Sequence, residues 1–174
     1  MKKNILEAKK IAIIGCSGSG KTTLARALEE RLSLPVYHID QYYWLPNWVE
    51  RDYDQFQKLH AELCARDEWI MDGSQVRTIP YRVLAADVVI FLDMPRRVCL
   101  WRTFKRWWHG LFYRRADLAE GCNERLSFKF FWYVWCYQKK YRPRVMAALE
   151  QADRKAPVII MRSAREVADF LAQW

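Results

Sequence analysis

Residues Gly15-Cys16-Ser17-Gly18-Ser19-Gly20-Lys21-Thr22 follow the spacing G-x-x-x-x-G-K-[ST] of a phosphate-binding loop. The chemistry behind that spacing is specific. Glycines and small Ser/Cys residues let successive backbone N–H groups close around a phosphate without Cβ clashes. A lysine at position 21 can reach the β- and γ-phosphates of a nucleoside triphosphate. The hydroxyl of Thr22 can hold Mg²⁺. Gly15, Cys16, Ser17, Gly18, Ser19, Gly20, Lys21, Thr22 and the following Thr23 are therefore the candidate nucleotide-binding stretch. Cys16 sits near Lys21 and a helix start, a setting that can lower a thiol pKa, but a small loop residue is the simpler reading than a redox centre.

Such a loop needs a strand before it and a helix after it, so that the helix dipole faces the anion. Ile11–Ile14 is a short apolar run of the buried-strand kind, and Leu24 and Leu28 lie one turn apart in a following helix. Further strand-like runs are Val36–Ile39, Trp69–Met71, Val88–Leu92 and Val158–Met161. Helical patterns fall at Lys21–Leu32, Tyr53–Arg66, Arg96–Trp108 and Ala164–Gln173. This alternation predicts a doubly wound parallel sheet. Three of its first four strands end in aspartate, at Asp40, Asp72 and Asp93. Ligands of open α/β sheets bind at the carboxyl ends of strands, so these carboxylates belong beside the phosphate loop. The aromatic run Phe128–Tyr137 leaves almost no polar face and reads as a buried or partner-covered helix, with a base-stacking surface as the alternative. Pro143 breaks or restarts that helix.

At 174 residues the chain has the length of one domain with a full core. The net charge of +9 is concentrated: thirteen Lys/Arg against three acids lie between Arg96 and Arg144, a balance of +10 that suits an anionic ligand. Five widely spaced cysteines with no C-x-x-C pair suggest neither a zinc site nor a disulfide framework. Reduced thiols, and with them a cytoplasmic location, are expected. Lysines 9 and 10 interrupt any signal core, and no apolar run reaches the length of a membrane span, so no membrane partner is expected.

Several further motifs line up in order: His38-Ile39-Asp40-Gln41-Tyr42-Tyr43-Trp44, Trp69-Ile70-Met71-Asp72-Gly73, Ala86-Asp87 through Leu92-Asp93-Met94-Pro95-Arg96, and Arg102 to Arg106. With the phosphate loop they make the chain resemble the adenylate-kinase-like P-loop kinases, and within them the bacterial DNA topology modulation (FlaR-type) proteins. The resemblance implies an α/β fold of the P-loop NTPase type: three layers α/β/α, a five-stranded parallel sheet and a helical or loop lid. It implies one kinase-like domain over residues 1–174, with an acceptor segment at about 40–80 and the lid at about 107–125.

It also implies roles. Arg102 would lie against adenine and Arg106 would reach the phosphates. Lid arginines Arg114 and Arg125, with Arg115 a weaker candidate, would clamp the γ-phosphate on closure. Asp72 is the first choice for the Mg²⁺ carboxylate and Asp93 the second, helix capping being the alternative for both. Asp40 resembles the acceptor-site aspartate of kinases that phosphorylate hydroxyls, where a carboxylate accepts or orients the proton. Arg77 resembles the phosphate-gripping arginine of nucleoside-monophosphate kinases, so the two point to different acceptors. Tyr42, Tyr43, Trp44 and Trp48 stack on an acceptor or simply pack. His38 reads as a satisfied buried residue. The Met161–Ala164 turn falls where an adenine-contacting loop is placed.

The resulting expectation is a phosphotransferase using MgATP on a small acceptor such as a nucleoside, nucleotide or sugar-like molecule. Two rivals remain: a nucleic-acid-binding regulator that modulates DNA topology, with or without ATPase activity, and a kinase-like fold without turnover. No helix-turn-helix, zinc finger or RNA-binding signature supports the first rival. Oligomeric state leaves no mark in the sequence.

Overall fold

The computed structural model describes residues 7–110, 119–122, 127–152 and 156–173, with the backbone alone for residues 109, 110 and 152. Strands β1 (Lys10–Gly15), β2 (Val36–His38), β5 (Trp69–Asp72), β6 (Val88–Leu92) and β7 (Val158–Met161) form one parallel sheet in the order β2-β5-β1-β6-β7. Helices on both faces complete three α/β/α layers, as expected. β1 and β6 lie centrally and read as uninterrupted apolar runs because both their faces are covered. Ile11 through Ile14 and Val88 through Phe91 are wholly buried.

The local signals are clear. Helix α1 (Lys21–Leu32) buries Leu24, Ala25 and Leu28 on one stripe. Helix α3 (Tyr53–Ala65) starts at Asp52, whose carboxylate accepts from the backbone N–H groups of Asp54 and Gln55. The last helix, α8 (Ala164–Leu171), starts at Ser163, whose hydroxyl accepts from the N–H of Glu166. Pro143 does separate two helices, α6 (Phe128–Lys140) and α7 (Arg142–Ala152).

Three features differ from expectation. Between β2 and α3 the chain forms a short helix α2 (Ile39–Tyr43) and a two-stranded antiparallel hairpin of β3 (Trp44–Leu45) and β4 (Val49–Glu50). Asp40 therefore lies in the first turn of a helix rather than at a strand end. A seven-residue helix α4 (Ile79–Ala85) follows β5, and its apolar pattern is too short to stand out in sequence. Helix α6 is not buried all round. Val134 and Tyr137 face the core, while Phe128, Trp132 and Trp135 are exposed, because α6 packs on α5 (Arg96–Gly110) and α7 from one side.

His60, on α3, is buried with its Nδ1 beside the Cys64 Sγ at 3.7 Å. Burial, reinforced by the charge of Arg82, lowers its pKa to about 4. An unfolded histidine titrates near 6.5, so the unfolded chain binds the extra proton first. The stability this residue contributes is complete above about pH 6.5 and is lost as pH falls toward about 4. Urea midpoints should fall over that window, and His60→Leu should flatten the fall. An identical pH dependence in the variant would refute the assignment.

Candidate active site

The phosphate loop leaves β1 at Gly15 and enters α1 at Lys21. The Ser19 N–H donates to the Cys16 carbonyl at 3.1 Å and closes the turn. α1 has no side-chain cap at Gly20 and no acidic residue in its first turn. Its first N–H groups are thus left for an anion. The Lys21 ammonium is buried and donates to the Cys16 carbonyl at 2.8 Å. Burial lowers its pKa, and the carboxylates of Asp40 and Asp72 act against that shift. Cys16 departs from the low-pKa possibility. A hydrogen bond with the Cys99 thiol and burial together push its pKa up. All five cysteines are free.

Helix α5 lies directly over the loop. Gly18 has φ +78°, and a Cβ there would stand 2.4 Å from the Cys99 carbonyl oxygen. Gly18→Ala therefore combines a left-handed backbone cost of about 1–2 kcal/mol with a clash against helix backbone. Its melting temperature should fall by at least about 2–8 °C by thermal denaturation. An unchanged melt would mean that α5 does not rest on the loop. From α5, Arg102 Nη1 donates to the Ser19 carbonyl at 3.2 Å and Arg106 Nη2 to the Ser17 Oγ at 3.2 Å. Both arginines, to which the resemblance assigns nucleotide contacts, thus lie against the phosphate loop.

Thr22 and Asp72 also come together. The Thr22 Oγ1 donates to the Asp72 Oδ2 at 2.8 Å across the β1–β5 pair. Asp72 Oδ1 is hydrogen-bonded to His38 Nδ1 at the end of β2. His38 is thereby partnered, as expected, but half-buried rather than buried. Asp93 has a different engagement. It takes a bidentate contact from Arg142, with Nε at 2.8 Å and Nη2 at 2.7 Å, which ties the start of α7 to the end of β6.

Asp40 faces the same centre from α2. Its Oδ1 is shut off from solvent and has no hydrogen-bond partner. Burial raises its pKa, and the charges of Lys21, Arg82 and Arg106 oppose the rise. Arg82 is thus one of the cations acting on Asp40, and Arg77 is not among them. Arg77 is exposed, with its guanidinium 5.4 Å from the Tyr53 ring centroid. Tyr43 and Trp44 pack edge-on to each other, Tyr43 on Phe56 and Trp44 on Trp48, and the Tyr43 hydroxyl donates to Glu50 at 2.7 Å. They build the hairpin next to Asp40. Thr23 is exposed at the start of α1. Arg114, Arg115 and Arg125, and most of the expected lid, lie outside the described residues.

Arg82 is the site residue that sequence reasoning missed. It is wholly buried on α4, and its Nη2 donates to the Gly73 carbonyl at 3.1 Å. Nη1 lies 3.0 Å from where a Gly73 Cβ would be, and neither Nη1 nor Nε has a partner. The sequence signal was a cation on the buried stripe Ile79, Arg82, Val83.

Comparisons follow the same lines. No protein-family model matches the chain. It is 30% identical over 156 residues to the uncharacterized protein YqaC of Bacillus subtilis, covering 87% of this chain and 86% of that one. A shikimate kinase from Acinetobacter baumannii in complex with shikimate superposes with a TM-score of 0.56, at 17% identity over 99% of this chain and 94% of the other. Deoxyadenosine kinase from M. mycoides with bound dATP gives 0.53, at 16% identity over 94% and 97%. A shikimate kinase from Aquifex aeolicus gives 0.53, at 14% identity over 94% of each chain. At these identities the structural likeness is one of fold, that of the P-loop small-molecule kinases.

Proposed function

The chain belongs to the same family as that Bacillus subtilis protein, and we propose that it is an ATP-dependent phosphotransferase acting on a hydroxyl of a small molecule. The observation that carries this reading is the buried Asp40 Oδ1, which has no hydrogen-bond partner, on a carboxylate whose charge acts on Lys21 of the phosphate loop. Kinases named for deoxyadenosine and for shikimate share the fold. They support testing nucleosides and polyhydroxylated acids first. The finer resemblance to FlaR-type proteins and a cytoplasmic location belong to the same proposal. Among the described residues no helix is long and apolar enough to cross a membrane.

The side chains divide the work. Backbone N–H groups of residues 16–22 and the Lys21 ammonium bind the triphosphate, and Arg102 and Arg106 lie over the same loop. The Thr22 hydroxyl and the Asp72 carboxylate are a hard-oxygen pair of the kind that holds Mg²⁺ with phosphate and water. Bound there, the ion would neutralise charge on the β- and γ-phosphates. Asp40 accepts the acceptor's hydroxyl proton as its oxygen bonds to the γ-phosphorus. The bond from that phosphorus to the β–γ bridging oxygen breaks, and ADP leaves with that electron pair. Arg82 acts through Asp40, adding to Lys21 in opposing the rise that burial gives its pKa.

ATP consumption across a panel of nucleosides, nucleotides and sugars, with and without DNA, tests the reading. Acceptor-dependent ADP release supports it. Turnover that responds to DNA alone would replace it with the nucleic-acid reading. A further expectation concerns Arg82→Met. Two of the three guanidinium nitrogens have no hydrogen-bond partner, so the cost of burying this charge is only partly offset, and the variant should still fold cooperatively. Its turnover should fall about tenfold or more, the scale of losing a group that sets up a functional side chain. The acid limb of its pH profile should also move up. Loss of fold together with activity would make Arg82 a structural residue instead.

A further inference from the structure

Helices α5 and α6 together carry eight Lys/Arg and no acidic residue. Their outward stripes are aromatic. Trp101, Phe104 and Trp108 on α5, and Phe128, Trp132 and Trp135 on α6, are between 42% and 83% exposed. Arg97 and Lys105 flank the first stripe, and Lys129, Lys139 and Lys140 the second, all exposed. Residues 97, 101, 104 and 108 and residues 128, 132, 135 and 139 each repeat at one-face helical spacing. Arg96 joins the two stripes, its guanidinium 4.0 Å from the Trp135 ring centroid. Apolar surface on this scale, rimmed by cations, is unusual on a soluble protein without a partner.

We propose that this face docks on an anionic phospholipid surface, with the rings in the interfacial layer and the cations on the headgroups. Tryptophan and phenylalanine opposite Lys/Arg are the composition of interfacial helices. Apart from Trp108, at the edge of the expected lid, the phosphotransferase reading uses none of these residues. Cys99, Thr103 and Arg106 hold the other side of α5 on the phosphate loop, so docking leaves the site free. The expectation of no membrane partner rested on the lack of a spanning segment, which interfacial docking does not need.

Two other occupants fit less well. Arg102 and Arg106 turn to the phosphate loop, so a second copy would set the six remaining cations of this face against six like charges. Single-stranded nucleic acid needs free ring faces for its bases. Here Arg96 covers the Trp135 face, Trp101 and Phe104 stack on each other with centroids 6.2 Å apart, and Trp108 meets Trp107 edge-on.

Co-sedimentation of the full chain with vesicles tests the proposal, using phosphatidylcholine alone or mixed with phosphatidylglycerol. Binding should favour the anionic vesicles by about tenfold or more and weaken with salt. Lipids brominated near the headgroup should quench tryptophan fluorescence. Lys129→Gln with Lys139→Gln should weaken binding by about an order of magnitude or more. Trp101→Ser with Trp132→Ser should markedly reduce the quenching, leaving that of Trp108 and Trp135. All four positions are exposed, so these variants should melt as the parent does. Absence of vesicle binding, equal binding to neutral vesicles, or a dimer that shields the tryptophans would overturn the proposal. So would tighter binding to a single-stranded oligonucleotide than to anionic vesicles.

Discussion

Lys21→Ala is expected to lower ATP-dependent turnover by about a hundredfold or more while the protein stays folded. The ammonium is buried among carboxylates and the loop carbonyl of Cys16, in a place where water cannot substitute for it. Charge that grows on the transferring phosphoryl group would lose its fixed counter-charge in a low-dielectric setting, where that loss is largest. Lys21→Arg should not restore the rate, because a planar fork cannot take the place of a point charge folded under the loop. Steady-state ADP release at saturating acceptor measures the effect. Circular dichroism controls for folding. Turnover within a few-fold of the parent would place the chemistry away from this loop.

Asp40→Asn should be nearly as damaging, by about two to four orders of magnitude in turnover, with nucleotide affinity little changed. The substitution keeps shape and removes the base. The parent's pH profile carries a second signature. A base must be deprotonated to act, and burial holds Asp40 above the ordinary carboxylate range. Activity should therefore rise with pH along an acid limb displaced upward from that range, and Asp40→Asn should abolish that limb. If Arg77→Ala proved the more harmful change, chiefly through acceptor affinity, the acceptor would be a phosphate. Its guanidinium would then have to leave Tyr53 and turn inward.

The five strands and the phosphate loop could be read from sequence because both are local. A buried parallel strand needs a short apolar run, and a phosphate loop needs fixed spacing. The Thr22–Asp72 pair followed once β5 was expected beside β1. What escaped depended on tertiary packing. Asp40 and Asp93 both follow apolar runs, yet one faces Lys21 and the other is held by Arg142, fifty residues downstream in round numbers. Arg82 and Arg77 are both basic residues just after Asp72-Gly73. Only the burial of α4 separates a guanidinium behind the site from one on the surface. In α6, nine apolar residues in the ten from Phe128 to Tyr137 gave no period to show which side would meet solvent.

The strand order has a consequence for how the chain reaches this structure. β1, the middle of the sheet, pairs with strands roughly sixty and eighty residues further along, at Lys10 with Trp69 and Ile11 with Val88. None of those pairings can form from neighbours in sequence. Loop closure must precede any gain from the central contacts. The phosphate loop hangs between β1 and α1, so it takes its shape only after those distant strands arrive. Folding on the millisecond-to-second scale follows, as for sheets built from remote pairings. Until then the apolar strands lie open to other chains, and yield on refolding should fall as protein concentration rises.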